Sequence, residues 1–353
     1  MIEQDRRLQS AQEYFKISEK DPLDLDDRLM LLPEHNSVSD STAIQIDLNY
    51  AVSNYLQLKN DFSSSEAIAA LRDMDFLCAS LSRHGINPIG STAYLDQSLI
   101  QIASKAKTVP RGTVYTYGLS NPNNNRRRTF SGTDEENSFI DAVQRSSLAL
   151  EAASYSLSKV VMLENSINDV TDALSDVARG CTIATESIVD VHRNVSPSFF
   201  TNTLRPFFEP LLVGGRAYMG AGGAQMQLLS IERMIWGIDD QDTIYQHYYD
   251  ENVEYLDNNQ RELVKSYSMN NDAKSILTYA RIIDDTDLYN SLAPTLRAMR
   301  KFRYPHKKVA DNNFEIRSKD SVGSGSFQPS ILGHLIMKVE SYMEEVTLHE
   351  NKF

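Results

Sequence analysis

Between Ser63 and His84 the chain reads SSSEAIAALRDMDFLCASLSRH, where Ile68, Leu71, Phe76, Leu77 and Leu81 recur at helical spacing and Ser63 with Glu66 forms a capping box. The pattern predicts a helix closed by Gly85. Residues 3–17 and 41–58 carry the same amphipathic spacing. At Pro110 the texture changes: GTVYTYGL, residues 112–119, alternates and is rich in β-branched and aromatic side chains, which predicts an extended segment. The NPNNNRRR run of residues 121–128 is a polar loop by residue type. A domain boundary is expected near this change, giving a small N-terminal helical domain, 1–112, and a large helical domain, 113–353.

Beyond the loop, Thr133 and Glu136 form a second capping box, opening a long helix over about 134–163. A further long helix is predicted over 165–193, with Gly180 as a tolerated interruption. Pro197, Pro206 and Pro210 then punctuate the chain, and Gly214, Gly215, Gly220, Gly222 and Gly223 cluster within ten residues. Helical spacing resumes over 224–236, 240–267, 273–283, 288–303 and 331–346. The expected fold class is all-α, with irregular glycine-rich segments in the middle and near the end.

Composition agrees and removes several functions. The 353 residues include 15 glycines, about 4%, below the usual ~7% and in keeping with a helix-rich chain. A net charge of -13 argues against a dedicated nucleic-acid binder, which needs a basic surface. Two cysteines, Cys78 and Cys181, allow neither a disulfide framework nor a CxxC metal site, and imply a reduced, cytoplasmic setting. Apolar runs fall short of the ~18–20 residues of a membrane span, so no membrane partner is expected. There is no P-loop, HExxH, GxSxG or well-placed GxGxxG. None of the seven histidines has the i, i+3 or i, i+4 partner of a helical metal site.

His306 stands out by its surroundings. Leu296, Met299, Phe302, His306, Val309 and Ala310 share one helical face, although Pro305 is expected to kink or restart the helix. The other face carries Arg297, Arg300, Lys301, Arg303, Lys307 and Lys308, six cations within twelve residues and no acid between them. Two readings fit: a core histidine beside a solvated cationic face, or a haem site in which a neutral imidazole ligates iron and cations meet the propionates. Arg205, set between Leu204 and the Pro-Phe-Phe that follows it, is either an anchor for carbonyls or a bidentate clamp for a substrate carboxylate. Gly323-Ser324-Gly325-Ser326 is either a flexible linker or a loop able to fold over a bound amino acid.

The succession FRYPHKKVADNNFEIR and GSGSFQPSILGHL, with HRNVSPSFFTNTLRPFF and GGAQ upstream, resembles the indoleamine/tryptophan 2,3-dioxygenase superfamily. RDMDFLCASLSRHG, RPFFEPLLVGGRAYMG, Ile235-Trp236-Gly237 and RYPHKK resemble its monodechloroaminopyrrolnitrin synthase branch, from pyrrolnitrin biosynthesis, and the motifs run in the same order from Leu71 to Leu335. The resemblance implies a small N-terminal domain packed on a larger helical domain that binds haem b, with His306 as the proximal iron ligand and O2 as co-substrate. It further implies that Arg205 binds the substrate carboxylate and Phe200 packs on the substrate. Ser324, Gly325 and Ser326 would close over the amino acid, while Gly222, Gly223 and Arg303 would contact the cofactor. Ring-cleaving members carry a serine where Val143 falls, an aromatic at Thr201 and a threonine-containing loop in place of the GSGS followed by Phe327. These departures point away from simple ring cleavage. The implied function is a haem-dependent oxidase of tryptophan or a substituted tryptophan in secondary metabolism, oxidising or rearranging the indole, with an external electron donor as a possible partner. The alternatives are a histidine-ligated haem tyrosine hydroxylase of the same superfamily and a non-catalytic haem-binding protein.

Overall fold

A computed structural model describes residues 11–162, 166–221, 227–239, 241–269, 274–315 and 330–350. The described residues divide into two compact units: 11–144 together with 194–221, and 145–193 together with those from 227 to 315 and 330 to 350. The longer helices are α1 (Ser41–Leu58), α2 (Ser64–Arg83), α3 (Leu95–Ala106), α4 (Asp134–Met162) and α5 (Ile167–Asn194). They continue with α6 (Gln227–Trp236), α7 (Thr243–Asn252), α8 (Asn258–Met269), α9 (Ile276–Ile283), α10 (Thr286–Glu315) and α11 (Ser330–Glu350). Among the described residues the sheet content is one antiparallel hairpin, β1 (Leu211–Val213) with β2 (Arg216–Tyr218). No described helix is long and apolar enough to cross a membrane.

In the first unit α2 is central because its apolar stripe is wide enough to be covered on several sides. Leu71, Met74, Leu77, Cys78 and Leu81 are buried, and α1 and α3 pack against the helix. The expected capping box is formed: the Ser63 Oγ accepts from the Glu66 N–H, and the Glu66 carboxylate accepts from the Ser63 N–H. At the other end Gly85, at φ +79°, takes the left-handed turn that stops the helix. The same helix also buries Arg72 and Asp73 completely. Arg72 donates to Asp73, to the Ser120 carbonyl and to the Lys20 carbonyl, and Arg128 donates to Asp73 at 3.1 Å. Burial alone would raise the Asp73 carboxyl, but Arg128 and Arg72 hold it below the usual range. The end of the polar 121–128 loop is thereby drawn into the interior.

Two expectations change here. Gly112–Leu119 is not extended: Tyr115–Leu119 forms a π-helical turn, all of it buried. Its alternating bulky residues fill a core on several sides, and Thr113, Thr116 and Ser120 side chains serve the backbone locally. The second capping box is half-built: Thr133 Oγ1 accepts from the Glu136 N–H, but the Glu136 carboxylate turns instead to the Phe130 N–H, Ser131 N–H and Tyr117 hydroxyl.

In the second unit, Gly180 does more than interrupt α5. A Cβ there would fall 3.0 Å from the Ala149 carbonyl and 3.1 Å from the Ala153 Cβ, so the glycine lets α5 approach α4 closely. Every residue of α6 is buried. The 240–267 stretch is two helices, α7 and α8, rather than one. Helix α10 runs unbroken for 30 residues through Pro294 and Pro305, so Pro305 does not restart it. Pro305 removes one bond, and Lys301, whose carbonyl would have received it, is an exposed residue where water can serve. Packing of α10 against α11 and the rest of the unit outweighs that loss.

Candidate active site

Arg205 sits at a change of helix type in the first unit. Ser196 caps the turn Pro197–Phe199, a π-helical turn spans Phe200–Leu204, and a 3-10 turn spans Arg205–Phe208 with Pro206 in its first turn. The proline ring fits the start of the turn, where its missing N–H has no partner to lose. Arg205 is buried, with its Nη2 3.9 Å from the half-exposed Glu209 carboxylate. Phe207 stacks on Phe130 at 4.2 Å, and Phe208 meets Tyr117 edge-on at 5.2 Å. Phe200 is half-buried and lies 5.5 Å from the ring of Phe139. Thr201 is buried, and its hydroxyl has no hydrogen-bond partner among the described residues. Val143 packs on the π-helical turn at Gly118, where a Cβ would fall 2.9 Å from its Cγ1.

Arg111 and Asp75, not among the expected site residues, secure this segment. The Arg111 Nη1 pairs with Asp75, while Nη2 donates to the carbonyls of Phe207 at 3.1 Å and Glu209 at 3.0 Å. The signal in the sequence is a charged residue inside the strongly apolar α2 pattern, which marks a paired interior group. The glycine cluster separates by role. Gly214 and Gly215, both at positive φ, form the two-residue turn of the β1–β2 hairpin, and Gly220 lies against Arg111 and Phe208. Gly222 and Gly223 lie outside the described residues, as do Ser324, Gly325 and Ser326.

His306 belongs to the second unit, on α10, with its ring 5.4 Å from that of Phe302. Burial and the nearby Arg303 charge push the imidazole down to about 4, so it is neutral at neutral pH. Its Nδ1 is buried without a hydrogen-bond partner among the described residues. A neutral ring with an unsatisfied nitrogen is the state that ligates a metal, so this residue fits a haem-iron ligand. Among the described residues no cluster of three or more His, Cys, Asp or Glu could hold a metal ion, which is no obstacle to haem with a single protein ligand.

The cationic face is less bare than its sequence. Arg303 is ion-paired with Glu232 of α6 in the interior, Arg300 lies 3.6 Å from Glu340 of α11, and Lys307 binds Asp311 at 2.5 Å. Burial raises the Glu232 carboxyl against the pull of Arg303; Arg303, which burial alone would lower, is raised by Glu232. The Arg303 Nε remains buried with no hydrogen-bond partner among the described residues.

A nearly all-helical architecture among the described residues, with a neutral, half-buried histidine on a long helix and a buried arginine among aromatics, places the chain in the indoleamine dioxygenase-like class. A family model described as monodechloroaminopyrrolnitrin synthase PrnB matches residues 47–342, and the chain belongs to that family. It is an enzyme family of tryptophan-related secondary metabolism.

Proposed function

We propose that this chain is a haem-dependent, O2-using oxidase of tryptophan or a substituted tryptophan, which it oxidises or rearranges at the indole. The observation that carries the reading is His306, a neutral, half-buried imidazole whose buried Nδ1 has no hydrogen-bond partner among the described residues, inside the span matched by the family model. Haem b would be held by His306, with Arg303 as a further contact through its Nε, which has no hydrogen-bond partner among the described residues. When bound, haem supplies a redox-active iron able to activate dioxygen.

The protein's own part is placement. Arg205 binds the amino-acid carboxylate by a charge-assisted bidentate contact, and its burial strengthens that contact by lowering the local dielectric. Phe200, with Phe139 behind it, offers a ring face to the indole and excludes water. By the resemblance, Ser324, Gly325 and Ser326 are the residues that would close over the amino acid. Glu209 lies 3.9 Å from Arg205, so a substrate carboxylate would compete with it.

The test is an absorption spectrum of the purified protein with and without L-tryptophan and L-tyrosine, followed by product mass. A tryptophan-dependent shift of a haem spectrum and an oxygenated or rearranged product support the reading. A response to tyrosine instead makes it a tyrosine hydroxylase, and a haem spectrum indifferent to both makes it a non-catalytic haem protein.

A further inference from the structure

A 3-10 turn leaves its last carbonyls without partners inside the turn. At Arg205–Phe208 the chain leaves the turn extended, with Glu209 at φ -60° and ψ 150°, so no following helical N–H can donate to them. The carbonyls of Phe207 and Glu209 are taken by Arg111 Nη2, and that of Phe208 by the Gly220 N–H at 3.3 Å. Three consecutive carbonyls downstream of Arg205 are therefore anchored. The anchor is itself immobile: Arg111 is 1% exposed and its charge is balanced by Asp75.

The surroundings leave the clamp no slack. A Cβ at Gly112 would fall 2.1 Å from the Asp75 Oδ2, and one at Gly220 would fall 2.9 Å from both the Arg111 Nη2 and the Phe208 Cα. Burying this ion pair carries a desolvation cost that surface carbonyl contacts would not require. In return, it fixes the backbone that carries Arg205 from a distant helix, through contacts that water cannot replace.

We propose that the Asp75–Arg111 ion pair is the positioning element of Arg205, and that it sets how well this protein discriminates an amino acid bearing a carboxylate from the same ring without one. This rests on the reading of Arg205 as the carboxylate contact. Arg111 and Asp75 touch no substrate; they act through the carbonyls of Phe207 and Glu209. An error of about an ångström in a bidentate contact is enough to lose most of its advantage.

The experiment compares calorimetric affinities of the full chain, as purified, for L-tryptophan and for tryptamine, which lacks the carboxylate. Wild type prefers L-tryptophan, and Arg205→Ala abolishes the preference. Asp75→Asn and Gly220→Ala disturb the clamp from opposite sides; each reduces the preference about tenfold and leaves tryptamine affinity unchanged. Arg111→Lys, which keeps the charge but loses the fork, falls between these and wild type. Thermal melts confirm that the variants are folded, and two independent perturbations cover the failure of either one. If Asp75→Asn and Gly220→Ala keep the preference while Arg205→Ala loses it, or weaken both ligands equally, the pair is structural and the proposal is overturned. If Arg205→Ala also keeps the preference, the reading of Arg205 falls, and the positioning role falls with it.

Discussion

Arg303 and Glu232 are ion-paired with their side chains 3% and 0% exposed, so a charge three residues before His306 is balanced inside the protein rather than by solvent. Removing one member of such a pair strands the other. Glu232→Ala is expected to lower stability by about 3–5 kcal/mol, read as a shift in the urea midpoint with an unchanged slope. A loss below about 1 kcal/mol would mean that Arg303 finds another counter-charge.

The contact between Val143 and the π-helical turn predicts a paired response. Gly118→Ala adds a methyl where the Val143 Cγ1 would lie 2.9 Å away, and this overpacking should cost roughly 1–3 kcal/mol. Val143→Ala in the same chain makes the room and should recover part of the loss. Additive destabilisation in the double variant would place the strain elsewhere.

Asp242 predicts an acid-side dependence. It caps α7 through the Tyr245 N–H and pairs with Lys338 and His334 of α11. Burial alone would raise its carboxyl, but Lys338 and the cap hold it below the usual value. A carboxyl lowered in the folded state contributes stability above its unfolded pKa, and that contribution is lost as pH falls through the folded value. Asp242→Asn keeps the cap and loses the charge. Its stability deficit, open at neutral pH, should close as pH falls below about 4. A deficit that stays constant from neutral pH down through that range would show that the charge is not its source.

Arg205→Ala should weaken L-tryptophan binding by about 1.5–3 kcal/mol, the range for a hydrogen bond to a charged group, without loss of haem. A substrate-difference titration reads it. Unchanged affinity would remove Arg205 from the substrate site.

What the sequence makes legible is local. The Ser63–Glu66 box and the Leu71–Leu81 stripe report one helix and its buried face, and both stand as expected. The residues from Tyr115 to Leu119 mislead because alternating aromatic and β-branched side chains signal burial, whereas the π-helical backbone follows from what surrounds them. The bare cationic face around His306 misleads for a related reason: Glu232 and Glu340 come from helices far away in sequence, and no spacing rule pairs them with Arg303 and Arg300. His306 and Arg205 are singled out by residue type and neighbours. Arg111 and Asp75 escape because their role lies in backbone carbonyls, which no sequence displays.

The haem reading rests on His306, and the absorption spectrum of His306→Ala tests it most directly. The purified wild-type protein is expected to show a Soret band with a histidine-ligated signature, and the variant to lose the band or the signature while remaining folded. A variant that keeps the full histidine-ligated spectrum would contradict the assignment of His306 as the iron ligand.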